Sequence, residues 1–423
     1  MEPGNPLTFG LVLIPSFAPP LMRLFLSILL LLPLLCLGQP AKQTSTPITI
    51  GTKQTIHSAI LKEDRNLWIY VPKSAADTKT RFPVLYLLDG EGFFTSMVGT
   101  VDYLSALGKM PEMIIVGIEN TDRVRDLTPT HFPFWASGKP ANELKASGGG
   151  PNFMAFLEKE VMPYIEKRYQ TQPYRMLVGH SLGGLTVLQA LVNQPTLFTS
   201  YVAIDPSIWW DNKLIMKQAE KALTQKDYAG ENLFFATANT MDKGMDTVRV
   251  VQDEAQGNHN VRNHLLFRET LRKSKNLAWA WKYYPEDNHG SVPFPAQYDA
   301  LRFFFKKYEL DKDLKDSTIT LEYVKNHYRT VSAILQYPVL PAVGTVNALG
   351  YISMGEKRYD KAYQFFKMNL ENYPTNAGLH DSMGDYYVEV GDKKKAMEAF
   401  RKALSLEEIA ETRRKLKSLE ARK

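Results

Sequence analysis

The segment Gly179-His180-Ser181-Leu182-Gly183-Gly184 holds the residues best suited to nucleophilic chemistry in this sequence. A Gly-x-Ser-x-Gly spacing arises by chance in about one chain of this length in seven, so its surroundings decide its value. Arg175–Val178 reads as an apolar strand before it, and Leu185–Asn193 as a helix after it that stops before Pro195. A strand–Ser–helix turn lifts the hydroxyl to the edge of a sheet, and its glycines are needed because side chains would collide in so tight a turn. The N-terminus of the following helix favours negative charge developing beside the serine.

A serine at its ordinary pKa needs a base, and the base needs an orienting acid. Five histidines follow Ser181: His259, His264, His289, His327 and His380. His259 and His264 sit in a polar, Asn-rich segment and read as solvated surface residues. His327 and His380 belong to the C-terminal helical region. His289, in Pro285-Glu-Asp-Asn-His-Gly-Ser-Val-Pro293, follows the strand Trp279–Tyr284 and precedes a helix, where α/β sheets carry functional groups, so it is the expected base. The acid is expected after an earlier strand. Asp242 lies four residues beyond Leu233–Ala238 and is the first choice, Asp246 the second, and Asp205, just after Tyr201–Ile204, the remaining geometric option. Two backbone N–H groups must face the tetrahedral oxygen. Leu182 supplies one, and Glu91, or Gly90 beside it, supplies the other from the loop Asp89–Phe93.

Positioning these groups requires a mostly parallel sheet. Strands are expected at Ile48–Ile50, Asn66–Val71, the apolar run before Asp89-Gly90, Met113–Ile118, Arg175–Val178, Tyr201–Ile204, Leu233–Ala238 and Trp279–Tyr284. Continuous apolar runs of this length fit strands covered on both faces. Helical patterns alternate with them, most clearly over Asn152–Tyr169, which gives a doubly wound α/β domain over 48–310 closed by the helix Gln297–Tyr308. The charged stretch Asp311–Asp316 then opens a helical linker, 311–342. Beyond it a 34-residue period pairs Gly350 with Gly384, Ala362 with Ala396 and Phe366 with Phe400. That period matches the tetratricopeptide repeat, with two units over 343–408 and a capping helix over 409–423. Two units bury one another only partly, so they are expected to lean on Leu321–Gln336 or on the α/β domain.

Composition narrows the function classes. The 423 residues are 44% hydrophobic and 23% charged, with a net charge of +6 and one cysteine, Cys36. This is globular composition. No dense basic run precedes the last dozen residues, which argues against a nucleic-acid binder, and one cysteine builds neither a disulfide nor a zinc ribbon. The absence of a Walker loop, a dinucleotide fingerprint or a His-Glu-x-x-His motif leads us to expect no cofactor and no metal. Leu24–Leu37, an apolar run after Arg23, is shorter than the roughly 20 residues of a spanning helix. It reads as a secretory signal over 1–38, cut near Gly38/Gln39, with Met22 as a second candidate start. The expected location is secreted or periplasmic, without stable membrane insertion after cleavage, and an N-terminal membrane anchor is the alternative.

Taken together, Pro83-Val-Leu-Tyr-Leu-Leu-Asp-Gly90, Asn120-Thr-Asp-Arg-Val-Arg-Asp-Leu-Thr-Pro129, Gly179–Gly184, Pro206-Ser-Ile-Trp-Trp210 and Asn288-His-Gly-Ser-Val-Pro293 resemble the esterase D family of α/β-hydrolases. The likeness is strongest to its secreted, siderophore-esterase-like branch, some members of which carry C-terminal tetratricopeptide repeats. The resemblance implies a serine hydrolase that cleaves small-molecule carboxylic esters through an acyl-enzyme. The same fold also serves acyl transfer, and a silent scaffold presenting repeats to a protein partner is the non-enzymatic alternative. Ala238-Asn239 stand where the family usually has a glycine near the acid strand, which leaves the acid open. Trp209 and Trp210, with Phe93, Phe94 and Trp135, are candidate walls of an aromatic acyl pocket. Arg123 and Arg125 are candidate anion contacts, with pairing to Asp122 and Asp126 as the structural alternative.

Overall fold

Strands without polar interruption belong in the middle of a sheet, and strands that alternate belong at its margin. The computed structural model describes residues 47–421 apart from 73 and 75–79. Its eight strands are β1 (Thr52–Ser58), β2 (Glu63–Tyr70), β3 (Phe82–Leu87), β4 (Ile114–Ile118), β5 (Thr171–His180), β6 (Ser200–Ile204), β7 (Asn232–Ala238) and β8 (Ala278–Tyr284). They form one sheet in the order β1-β2-β4-β3-β5-β6-β7-β8. β1 and β2 are antiparallel, as are β2 and β4, and the rest is parallel. β3, β4 and β6 are buried throughout, whereas β1 and β8 at the margins are partly exposed. One expected strand is absent: Ile48–Ile50 is irregular and exposed, with Ile48 at 97%. The first strand is instead the polar Thr52–Ser58, whose edge position asks for no apolar run. The apolar segment Leu24–Leu37 and the expected cut lie outside the described residues.

The flanking helices are α1 (Gly90–Ala106), α2 (Gly150–Phe156), α3 (Met162–Arg168), α4 (Leu182–Asn193), α5 (Trp210–Gln225), α6 (His259–Leu271) and α7 (Pro293–Phe304). A π-helical turn, Leu157–Val161, joins α2 to α3 just before Pro163, whose ring cannot donate to the helix ladder. The pleat sends Tyr86 and Leu88 into the core on one face and Leu85 and Leu87 into the core on the other.

Six helices follow: α8 (Leu321–Leu335), α9 (Val343–Gly355), α10 (Tyr359–Asn372), α11 (Ala377–Glu389), α12 (Lys393–Leu406) and α13 (Ala410–Ala421). Gly350 and Gly384 repeat because a Cβ there would lie 2.5 and 2.4 Å from the rings of Phe366 and Phe400. Asn369 is fully buried and donates from Nδ2 to the Val343 carbonyl at 2.9 Å. Tyr328 and Leu335 of α8, Val346 and Leu349 of α9, and Phe365 and Met368 of α10 share one hydrophobic cluster with Leu85 and Val178 of the sheet. α11 to α13 pack instead into separate, smaller clusters around Phe366 and Phe400. A chain ended after Leu310 would therefore open the sheet's own core. It should lose its cooperative thermal transition or melt far below the full chain, whereas one ended after Tyr373 should keep a cooperative transition. Equal melting temperatures for the two truncations in calorimetry would refute this.

Candidate active site

Ser181 stands between β5 and α4 with φ 61° and ψ −116°, a conformation that a non-glycine residue adopts only under strain. The glycines around it make that turn possible. A Cβ on Gly179 would meet the Gly183 backbone at 2.3 Å, and one on Gly184 would meet Pro206 at 3.0 Å. His289 arrives on the loop after β8. Asn239 clamps that loop, its N–H donating to the Asp287 carbonyl at 2.8 Å and its Nδ2 to the Pro285 carbonyl at 3.0 Å.

The structure brings His289 Nε2 to 3.1 Å from Ser181 Oγ and His289 Nδ1 to 2.5 Å from Asp205 Oδ2. An ionised carboxylate only accepts, so Nδ1 carries the proton and the Nε2 lone pair faces the serine hydroxyl. Asp205 is 2% exposed, with φ 41°, and its Oδ1 accepts the Ala238 N–H at 2.9 Å. Burial pushes its pKa up, but the His289 hydrogen bond and the Ala238 N–H outweigh it and hold the carboxyl below its ordinary value.

Asp242, the acid expected first, is not at His289. It is exposed, receives the Asn258 side-chain amide at 3.2 Å and closes the loop leading to α6. Asp246 holds Arg249 at 2.8 Å in the same loop. Asn239 ties the start of the loop after β7 to the loop after β8, and the chain then runs on toward α6, so the acid three residues further is bonded to Asn258 and not to the histidine. Asp205 directly follows β6, whose Ile204 pairs with His180 beside the serine.

Leu182 opens α4, and Gly90 and Glu91 open α1, so their N–H groups have no acceptor within their own helices. Arg123 ties the two loops together. Its Nε and Nη2 grip the Asp89 carboxylate at 2.7 and 2.9 Å, and Nη2 also donates to the His180 carbonyl at 3.2 Å. Arg125 holds Glu63 at 2.6 Å and Asp126 at 2.7 Å. The expectation of free anion contacts at Arg123 and Arg125 is thus corrected, as both guanidinium groups already hold carboxylates. Arg123 takes Asp89 rather than Asp122, whose side chain caps the turn at the Arg125 N–H. Trp210 is also corrected: it is fully buried and donates to Thr130 Oγ1 at 3.2 Å, so it is core. Phe94 is core as well. Trp209 is half-buried, with its ring 6.0 Å from that of the exposed Trp135.

Sequence reasoning also passed over Ser207 and His180. Ser207 Oγ lies 3.4 Å from Ser181 Oγ. The His180 ring is 4.5 Å from that of His289, and its buried Nε2 has no hydrogen-bond partner among the described residues. Burial and then His289 push its pKa from 6.5 down to about 4. The unfolded chain therefore binds a proton here that the folded one refuses, and stability falls as pH drops from about 6.5 toward 4. His180→Gln should lose less of its melting temperature over that window than the unaltered protein, and an unchanged pH slope would refute the assignment. Among the described residues no cluster of His, Cys, Asp or Glu is arranged to hold a metal.

The Esterase family model matches residues 58–292, more than half of the chain. The chain belongs to the esterase family. A tetratricopeptide-repeat model matches residues 377–409 of the esterase. Ferri-bacillibactin esterase BesA of Bacillus subtilis is 32% identical over 208 residues, 46% of this chain and 72% of that protein. Siderophore enterobactin esterase of Emericella nidulans is 29% identical over 253 residues, 52% of this chain and 80% of that protein. An IroE-like serine hydrolase from Shewanella oneidensis superposes with a TM-score of 0.66 at 31% identity, covering 76% of this chain and 99% of that one. The esterase is thus a carboxylic-ester hydrolase similar to siderophore esterases, with an α/β-hydrolase sheet followed by an all-helical region that carries a tetratricopeptide repeat. No helix among its described residues is long and apolar enough to cross a membrane.

Proposed function

We propose that the esterase is a secreted serine hydrolase that cleaves carboxylic esters through an acyl-enzyme, with Ser181 as nucleophile, His289 as base and Asp205 as the orienting acid. One observation carries the reading: His289 bridges Ser181 Oγ and Asp205 Oδ2 at 3.1 and 2.5 Å. Ser181 Oγ attacks the ester carbonyl as its proton passes to His289 Nε2, and the resulting imidazolium is stabilised by Asp205. The oxyanion forms opposite the N–H groups of Leu182 and of Glu91 or Gly90. His289 returns the proton to the leaving alcohol, and water, deprotonated by the same nitrogen, releases the acid and Ser181.

The substrate class is an aromatic acyl ester of the siderophore type. The names of the similar proteins support this, as do Trp209, two residues beyond Ser207, and its partner Trp135. The run Leu24–Leu37 supports secretion, and the repeats offer a protein partner a surface. A fluorophosphonate should add once, at Ser181, and abolish turnover, as read by peptide mass spectrometry. No adduct on folded protein, or an adduct elsewhere, would sink the mechanism. Equal kcat/KM for a catecholate trilactone and a short aliphatic ester would sink the substrate class alone.

A further inference from the structure

We propose that His264 is a positioning residue of this site, a buried imidazole that holds Asp205-Pro206 in the conformation from which the carboxylate reaches His289. The inference rests on the Ser181–His289–Asp205 reading. His264 was expected at the surface from its Asn-rich surroundings, yet on α6 it is completely buried, its ring nearly perpendicular to that of Phe235 with centroids 5.3 Å apart.

Its two nitrogens face the segment that ends β6. Nε2 lies 2.7 Å from the Pro206 carbonyl oxygen, and a carbonyl only accepts, so Nε2 carries the proton. Burial disfavours the charged ring. Nδ1 is therefore unprotonated, 3.5 Å from Asp205 Oδ1 and without a hydrogen-bond partner among the described residues. It has no proton to give Asp205. Oδ1 takes the Ala238 N–H, and Oδ2 is left for His289. His264 thus sits against the carboxylate without competing for it.

The Asp205 backbone needs holding because its φ of 41° is unfavourable for a residue with a Cβ. Four hydrogen bonds hold the turn. The Asp205 N–H donates to the Ala236 carbonyl at 2.9 Å, the Ser207 N–H donates to the Ser181 carbonyl at 3.0 Å, and the Pro206 carbonyl accepts both the Ile208 N–H and His264 Nε2, each at 2.7 Å. Only the His264 bond is donated by a side chain, so substitution can remove it alone. The same turn links the acid to the nucleophile, since Ser207 is bonded to the Ser181 backbone.

The full-length esterase tests this with His264→Phe, His264→Asn and His264→Gln, read by kcat, KM and the downfield imidazole N–H proton resonance of His289. Phe has no donor, and the amide of Asn is too short to reach the Pro206 carbonyl. Both should lower kcat by about 10–10²-fold, as a small misplacement does, with KM nearly unchanged and the His289 resonance shifted or broadened. Gln places an N–H where Nε2 stood and should recover most of the loss. A folded Phe or Asn variant with unaltered kcat and resonance overturns the proposal, as does a Gln variant as impaired as Phe. If the Phe variant does not fold, the Asn–Gln comparison decides. Asp205→Asn serves as control: full activity there would refute the triad itself, whereas loss there with unaltered His264 variants refutes only the role of His264.

Discussion

Ser181→Ala and His289→Ala should each lower kcat/KM for a small aryl ester by on the order of 10³-fold or more. The serine variant has no oxygen to acylate. The histidine variant leaves the hydroxyl without the lone pair that faces it at 3.1 Å. The two act as one unit, so the double variant should be no worse than the worse single one. Folding should be little affected, because Ser181 and His289 are both partly exposed and neither fills the core. The check is steady-state kinetics beside thermal melts of the same preparations. Tenfold or smaller losses in well-folded variants would exclude Ser181 and His289 as nucleophile and base.

Asp205→Asn should be the next most damaging change, costing about 10²–10⁴-fold in kcat, whereas Asp242→Asn should stay within about twofold, as surface substitutions do. The reason lies in the hydrogen bonds. Ala238 N–H needs an acceptor, so the amide oxygen of the new Asn would stay with it, and the amide NH₂ would turn to His289 Nδ1. An N–H donor there selects the tautomer with the proton on Nε2, pointing at Ser181, and that nitrogen then cannot act as base. Asp242 bonds to Asn258 in its own loop, and among the described residues it has no hydrogen bond to His289, Ser181 or Asp205. Comparable losses in the two variants, measured at a pH where both are folded, would show that this geometry does not describe the working acid.

How much could be read in advance follows from how local each signal is. The Gly179–Gly184 turn, the loop around His289 and the 34-residue period are patterns of neighbours in sequence. Their geometry comes from steric contacts within a few residues, or between helices one period apart, as Gly350 against Phe366 shows. The interior strands were legible because burial on both faces demands an unbroken apolar run. Thr52–Ser58 was not legible, because an edge strand obeys no such demand.

The choice of acid could not be local. Asp205, Asp242 and Asp246 all follow strands, and only the tertiary path of the loop after β7, clamped by Asn239, decides which one meets the histidine. The same holds for His264, whose polar neighbours advertise a surface while its own side chain packs under Pro206. The tight turn at Ser181, the alternation of strands and helices, and the repeat were all legible in the chain, because each depends on spacing along it. The folded chain alone settles the partners of His289, the pairing of Arg123 with Asp89 and of Arg125 with Glu63, and the sharing of the sheet's core by α8 to α10. Those are contacts between segments tens to hundreds of residues apart, and charge pairing and burial across such distances leave no periodic trace in the chain.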